Sequence, residues 1–444
     1  MISHPLLDQL GQTGIRLGLE RIRSFLTAVG EPHRAFPVVH VAGTNGKGSV
    51  CAMVTTALVR AGYRVGTTIS PHVEEVNERV QIDGVPVDDA TLTEVLEAVD
   101  RARWEWARAV GVEGVPLTYF EFVTAAAFLC FARRRVDVAV VEVGMGGRLD
   151  ATNVVQPVVC AVPSIGLDHV ADLGGTLAEI AGEKAGILKR GAPAVIGPLA
   201  PEARAVFEQR ARALGVDLWM PGRDLRRERR RDGWNLATPD GGLADVRVGL
   251  QGPHQGANAL VALGVLHQLR RQGFVVPDEA IRAGLAEAFI PVRLERPAPG
   301  LLVDGAHNVD GARALAAWLA EQPRPRSRIL LFGAGVDREP LHLVEPLLPY
   351  VDEVVTTRCS HPKARDPMEL AMALRDLDVT LSAGGSIEEA LPEVYVEADE
   401  TVVAGSLFVA GAARALVRAG ALDGLEPGSV RRDPEALTAW TEPT

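Results

Sequence analysis

The chain lacks three things that would each have placed it in a particular class: closely spaced cysteines, a long apolar run and a surplus of basic residues. Its four cysteines, Cys51, Cys130, Cys160 and Cys359, lie far apart with no CxxC pair. Cys51, Cys130 and Cys160 sit within apolar segments, which reads as buried free thiols in a reducing compartment. The most apolar stretch, Thr124 to Ala132, is stopped by Arg133, Arg134 and Arg135, so nothing reaches membrane-spanning length. The start, MISHPLLDQL, has no basic stretch followed by an apolar core and carries no recognisable export signal. A net charge of −11 argues against general nucleic-acid affinity. The one basic run, Arg226 to Arg231 with Glu228 inside it, reads as a solvated hairpin or loop edge. No repeat of fixed period and no low-complexity tract is present. These absences together predict a cytoplasmic protein without nucleic-acid or membrane partners; a monomer is the expectation, although no feature of the sequence sets the oligomeric state.

The composition is globular, 47% hydrophobic and 23% charged, and 444 residues are too many for one ordinary core. Up to about Pro201, strand-like and helix-like segments alternate. Val50–Ala61 reads as a helix stopped by Gly62, Tyr63–Ile69 as a strand and Phe120–Phe131 as a buried helix. Val136–Val143 (VDVAVVEV) and Val158–Ile165 have the β-branched character that fills parallel sheets, and Thr176–Lys189 returns to helix. Such alternation predicts a parallel sheet covered by helices. From Trp219 to Leu250, short runs between Gly, Asp and Pro predict a small antiparallel patch, and Asn258–Gln272 a helix. Prolines and glycine around Pro291–Gly300 mark a boundary, giving domains 1–292 and 293–444. Strands at Leu301–Asp304, Ile329–Phe332, Glu353–Thr356 and Thr401–Ala404 then start a second alternation. The DGAHN turn after the first of them has no GxGxxG, so no dinucleotide site is read there. The fold class is therefore α/β, and the glycine loop of residues 43–49 makes it, as an expectation, a P-loop-containing parallel-sheet ATPase domain followed by a smaller Rossmann-like domain.

The richest dozen residues are VVHVAGTNGKGS, from Val38 to Ser49. A β-branched run ends in a loop with Gly43, Gly46 and Gly48, and a helical pattern opens at its far side. Strand, glycine loop and helix N-terminus make a phosphate site, because backbone N–H groups and the helix dipole face the anion and Lys47 adds a point charge. The match to GxxxxGK[ST] is imperfect. Val41 stands where the first glycine belongs, and the hydroxyl arrives one residue late, at Ser49.

Ligands of open parallel sheets collect at the carboxyl ends of the strands. There the chain offers Ser70 in Ser70-Pro71-His72, Glu142 at the end of VDVAVVEV, and Asp168 with His169. Magnesium prefers oxygen, so Ser70 and Glu142 suit it, whereas His169 alone reads as a structural histidine. Gly144, Gly146 and Gly147 before Arg148, Leu149 and Asp150 form either a tight turn or a close approach to a ligand. Thr118 and Glu121 fit a helix N-cap and its capping box. Lys184, in GEKAGILK, reads from its neighbours only as a solvated lysine, although near a metal it could pair with phosphate or become a carbamate.

With these residues placed, the chain resembles the bacterial folylpolyglutamate synthase/dihydrofolate synthase family of the Mur ligase superfamily. The shared motifs are GTNGKGS (43–49), SPH (70–72), TYFEF (118–122), EVGMGGRLDATN (142–153), LDH (167–169), GEKAGILK (182–189), HQGAN (254–258) and DGAHN (304–308). The resemblance implies that Thr44, Asn45, Gly46, Lys47, Gly48 and Ser49 hold the ATP phosphates, that Asn258 meets the adenine side, and that Arg293 and Asp304 complete the ATP site as two domains close. It implies that Ser70, Glu142 and His169 bind magnesium, two ions in all, with Lys184 carbamylated as a further ligand. Thr118, Tyr119, Phe120 and Glu121, with Leu149, Asp150 and Ala151, match segments that hold pteroate, and Arg16–Gly18 add to them from an N-terminal helix. His307 and Ser406, at strand ends of the second domain, are assigned to the glutamate side. Three departures stand out: Val292 where glycine precedes the arginine, Val309 where proline follows DGAHN, and Asp337-Arg338-Glu339 in place of DKD.

The reaction so implied joins the amine of L-glutamate to a carboxylate of dihydropteroate or a reduced folate through an acyl phosphate, with Lys47, Glu142, His169 and Lys184 as the catalytic group. A different Mur-type amino-acid ligase is the nearest rival, opposed by TYFEF and GGRLDATN. A nucleotide-driven switch is the rival from another class, and it would form no ligated product.

Overall fold

A computed structural model describes residues 4–10 and 16–430. The chain divides between Ile290 and Pro291 into two compact units. The first is built on β1 (Val38–Val41), β2 (Val65–Thr68), β3 (Gln81–Ile82), β4 (Val85–Pro86), β5 (Val138–Glu142), β6 (Val159–Val162), β7 (Ala194–Ile196) and β8 (Leu218–Trp219). They form one eight-stranded sheet in the order β4-β3-β2-β5-β1-β6-β7-β8. From β2 through β5, β1, β6 and β7 to β8 all neighbours pair in parallel, whereas the β2–β3 and β3–β4 pairs at the edge are antiparallel. The central strands are buried on both faces, as their valine-rich sequences lead one to expect. Alternation along β1 sends Val39 and Val41 into one core, with the helices Lys47–Arg60 and Gln255–Arg271. It sends Val38 to the opposite face, against the helix Tyr119–Arg134.

Three further strands, β9 (Arg226–Arg229), β10 (Trp234–Thr238) and β11 (Gly241–Val246), make the separate antiparallel sheet expected from the texture of that region. The basic run is its exposed edge strand, the solvated role read from sequence, and a charged edge of this kind discourages pairing with other chains. All four cysteines are free and buried. Among the described residues no helix is long and apolar enough to cross a membrane.

Several boundaries differ from those read in the sequence. The helix after the glycine loop begins at Lys47, three residues before Val50, because Gly46 takes a left-handed conformation (φ 81°) and serves as its N-cap. The Thr176–Lys189 helix stops at Lys184 and continues as a single 3-10 turn, Ala185–Ile187. Arg16–Gly18 lie in the coil before the helix Glu20–Ala28 and not within it, and the Arg16 carbonyl accepts from Arg21.

The second unit contains β12 (Glu295–Ala298), β13 (Leu301–Val303), β14 (Arg328–Phe332), β15 (Glu353–Arg358), β16 (Thr380–Ser386) and β17 (Glu400–Ala404). Their order is β12-β13-β17-β14-β15-β16, parallel except for β12 at the edge. Two of its strands, β12 and β16, had no counterpart in the sequence reading.

Val309 is the first residue of the helix Val309–Ala320, and Asn308, extended at φ −139° and ψ 168°, caps it by accepting from Gly311 N. Proline is favoured at a first helical position, and an extended preceding residue tolerates it. Val309→Pro is therefore expected to stabilise the protein by about 0.4–1 kcal/mol, read as a higher urea midpoint. A lower midpoint would contradict this description of the cap.

Candidate active site

The site of the first unit grows from the carboxyl end of β1, which lies between β5 and β6 where successive connections leave to opposite sides. Val41, in place of the expected glycine, is the last residue of that strand and pairs with Glu142 on one side and Ala161 on the other. The loop beyond it is clamped by the segment after β6. Thr44 N donates to Ser164 O at 2.9 Å, and the Thr44 hydroxyl both donates to Gly166 O and accepts from Gly166 N. Asn45 N donates to Ser164 Oγ, which returns a bond to Asn45 O, both at 2.9 Å. Thr44 thus spends its N–H and its hydroxyl on holding the loop. Lys47, Gly48 and Ser49 occupy the first helical turn, where N–H groups have no intrahelical partner. A Cβ on Gly46 would collide with the amide of Asn258, buried in the helix Gln255–Arg271, so loop and helix meet only because that residue is glycine. Asn258 is held in turn by Gln255.

Around this loop the structure gathers several of the residues singled out in the sequence. Lys47 Nζ donates to Thr44 O at 3.1 Å and lies 3.9 Å from Glu142 Oε1. Glu142 Oε2 accepts from Ser70 N at 3.2 Å. Ser70 reaches it because β2 and β5 are parallel neighbours whose carboxyl ends coincide. Arg79, which sequence reasoning missed, is buried beside them. It donates to His72 Nδ1 at 2.8 Å and to Ser70 Oγ, and its guanidinium lies 5.5 Å from the Tyr119 ring centroid.

Lys184 ends its helix with its side chain buried, and Nζ donates to the carbonyl of Gly43 at 3.0 Å. Burial, reinforced by the charge of Lys47, pulls its pKa down to about 7, against the opposing pull of Asp168 and Asp150. The solvated-lysine reading is thereby excluded. Near neutral pH a large fraction of this amine is uncharged, the form that adds CO₂. His169 sits at φ 50° and is 41% exposed, its N–H bonded to the buried carboxylate of Asp168. Among the described residues no three of His, Cys, Asp and Glu form a ready-made metal cluster. A divalent ion here therefore needs donors beyond Glu142 and His169, and the hydroxyl of Ser70 and a carbamate on Lys184 are oxygen donors of the type that magnesium takes.

The acceptor segments are equally ordered. Thr118 and Glu121 form the expected capping box, and Glu121 also pairs with Arg21 at 2.9 Å. Both residues are thus engaged with the protein itself, while Tyr119 lies under Arg79 and Phe120 packs where Gly144 leaves no room for a Cβ. Leu149 is half-buried, and Asp150 and Ala151 are buried.

In the second unit, Asp304 follows β13. Burial raises its carboxyl pKa, opposed by Arg293 and by bonds from Leu294 N and Ala306 N. Val292 stands at φ 53°, a conformation costing a β-branched residue about 1–2 kcal/mol, which is why the position suits glycine. His307 Nδ1 donates to Gly305 O, and Ser406 caps the helix Leu407–Arg418. A bond from Gly405 N to Ala306 O brings these two loops together, with Phe408 stacked on His361 at 3.9 Å.

A clamped glycine loop, a carboxylate at the neighbouring strand end and a buried lysine are the parts of a nucleotide-dependent ligase, and the family models agree. The Mur ligase middle domain matches residues 41–266, and the Mur ligase glutamate ligase domain matches residues 292–411. The class is a Mur ligase. The dihydrofolate synthase/folylpolyglutamate synthase of Mycobacterium tuberculosis is 36% identical, over 94% of this chain and 93% of its own. The Escherichia coli FolC structure in complex with DHPP and ADP superposes with a TM-score of 0.84 at 30% identity, covering 94% of this chain and 99% of that one. A bifunctional folylpolyglutamate synthase/dihydrofolate synthase with Mn, AMPPNP and L-glutamate bound gives 0.82 at 31%, covering 94% and 98%. The chain belongs to the dihydrofolate synthase/folylpolyglutamate synthase family of Mur ligases.

Proposed function

We propose that the chain is an ATP-dependent amide ligase that adds L-glutamate to dihydropteroate and to reduced folates through an acyl phosphate, releasing ADP and phosphate. Relatives bound to ADP and DHPP, and to Mn, AMPPNP and L-glutamate, support this reading. The observation that carries it is Lys184, a buried lysine bonded to the phosphate loop itself and held near neutrality. A loop that only binds nucleotide has no need of such a group.

A carboxylate is a poor electrophile, so its oxygen first attacks the γ-phosphorus and ADP leaves. The glutamate amine then attacks the acyl carbon, and phosphate departs with that oxygen. Lys47 and the N–H groups of residues 46–49 offset the charge of the transferring phosphoryl group. The Ser164–Gly166 clamp fixes those donors before the nucleotide arrives, which lowers the cost of ordering them. Ser70, Glu142, His169 and carbamylated Lys184 would hold magnesium, which when bound supplies further charge neutralisation at the phosphates. Asn258 serves the adenine side, and Arg293 and Asp304 the remaining part of the nucleotide. Tyr119, Phe120 and Leu149–Ala151 face the pteroate, whereas Thr118 and Glu121 act by shaping the start of their helix. His307 and Ser406 serve glutamate. The protein acts as a cytoplasmic monomer and takes no nucleic acid.

The acyl phosphate has a direct test. With an ¹⁸O-labelled acceptor carboxylate, one label is expected in the released phosphate. Label retained in full by the ligated product, or AMP formed instead of ADP, would contradict it.

A further inference from the structure

One buried polar chain leads to Asp150 through two residues, His40 and Thr152, that have no part in the steps above. His40 lies on β1, on the face opposite Val39 and Val41, and is fully buried. Its Nε2 is 2.9 Å from the hydroxyl of Thr152, and that hydroxyl donates to Asp150 Oδ1 at 2.5 Å. Asp150 Oδ1 also accepts from Thr152 N, and Oδ2 accepts from Met145 N, both at 2.9 Å. The chain thus runs from the strand that leads into the phosphate loop to the glycine turn at Gly144–Gly147.

The hydrogens can be assigned by counting. Burial raises the Asp150 carboxyl pKa, but it is opposed by backbone N–H donors of Met145, Thr152 and Gly144, which can only donate and favour the carboxylate, so Asp150 is the acceptor throughout. The single hydroxyl hydrogen of Thr152 goes to Asp150, and only oxygen lone pairs remain to face His40. His40 must therefore donate from Nε2, leaving Nδ1 bare. Nδ1 is buried without a hydrogen-bond partner among the described residues. Burial also pulls the imidazole pKa to about 3, so the ring is neutral at any working pH. A buried imidazole with one unsatisfied nitrogen is costly in a β-sheet core, a cost that an apolar side chain such as valine does not carry. The one thing it supplies that valine cannot is the bond to Thr152.

We infer that His40 and Thr152 are positioning residues for the carboxylate acceptor: they orient Asp150, and through it the Gly144–Ala151 segment, toward the flat heterocyclic end of that substrate. This rests on the proposed assignment of the segment to the pteroate moiety. Met145 N and Gly144 N hold the Asp150 carboxylate from the glycine turn, and the Thr152 hydroxyl and N–H hold it from the other side, so its orientation is the sum of both sets. Removing the Thr152 hydroxyl takes away the one side-chain bond on Oδ1 and its link to His40, leaving the carboxylate held by backbone N–H groups alone, and the effect falls on acceptor binding and not on ATP or glutamate. The clamp on the phosphate loop, made by Ser164 and Gly166, is independent of this chain.

The test uses the full-length protein with Thr152→Val, which keeps the branched shape, and Thr152→Ser, which keeps the hydroxyl. Thr152→Val is expected to raise KM for dihydropteroate about tenfold, as loss of a hydrogen bond to a charged acceptor does, with KM for ATP and for glutamate within about twofold of wild type. Thr152→Ser should restore the acceptor KM. An unchanged acceptor KM in Thr152→Val, an equal rise in all three constants, or no recovery with serine would overturn the inference. Should Thr152→Val not fold, ¹⁵N NMR of histidine-labelled wild-type protein decides. The inference requires one ring protonated only at Nε2 that does not titrate between about pH 5 and 9, and a proton on Nδ1 of His40 would refute it. Wild-type protein that ligates neither acceptor would instead refute the proposed function, since that result does not depend on Thr152.

Discussion

Lys184→Ala is expected to lower kcat by a factor on the order of 10²–10³ while KM for ATP moves far less. The lysine lies behind the phosphate loop, bonded to the Gly43 carbonyl, and its amine is held near pH 7 by burial and by Lys47. The pKa argument fixes a sign. The group is lowered in the folded protein, so the reactive neutral amine predominates above about pH 7 and is lost as pH falls through that value. Activity is therefore expected to fall on the acid side of about pH 7, and added bicarbonate should move that limb to lower pH in the wild type. Labelled bicarbonate should give a ¹³C carbamate signal in the wild type and none in the alanine variant. Lys184→Met, which keeps most of the packing, should be as inactive as Lys184→Ala. Full activity in either variant would remove the carbamate from the mechanism.

Lys47→Ala carries the second large effect, a loss in kcat on the order of 10³. Lys47 Nζ rests on Thr44 O and within 3.9 Å of Glu142, so it can swing to a phosphate without any change of backbone. Arginine is a poor replacement, because a flat fork does not fit where a compact ammonium is cradled by its own loop. Lys47→Arg is therefore expected to recover little of the lost rate, and equal activity in all three proteins would contradict the assignment. The loop itself should survive either change, since its clamp is made by Ser164 and Gly166 and not by the lysine.

Much of this architecture was legible because it depends on local chemistry. Valine-rich runs such as VAVVE, buried on both faces, fit the inside of a parallel sheet, and VDVAVVEV contains β5. The capping box of Thr118 and Glu121 is a four-residue pattern and formed as read. The exposed basic strand β9 followed equally from its charge. The elements that escaped have no such signature. The strand β16, TLSAGGS, holds two glycines and two serines and has no apolar run, and it exists because β15 offers it an edge. The strand β12, ERPA, contains a proline that only an edge strand tolerates.

The site shows the same division. Lys47, Ser70 and Glu142 sit at strand ends, where topology alone directs attention, and they lie together. Arg79 ends a single 3-10 turn, Val76–Arg79, and Ser164 and Gly166 lie in coil, and only the tertiary fold shows that they brace His72, Ser70 and the phosphate loop. Lys184 was misleading in the opposite sense. Its neighbours in sequence say nothing of burial, and its environment is set by Gly43, 141 positions away. The departure at Val292 acquires a physical meaning only from its backbone, which is left-handed where a glycine would be relaxed.

The most direct measurement incubates the purified protein with MgATP, labelled L-glutamate and either dihydropteroate or tetrahydrofolate, and separates the products by mass. The account predicts one glutamate residue added per ADP released, with both acceptors serving as substrates. ATP hydrolysed with no glutamate incorporated into either acceptor would contradict it.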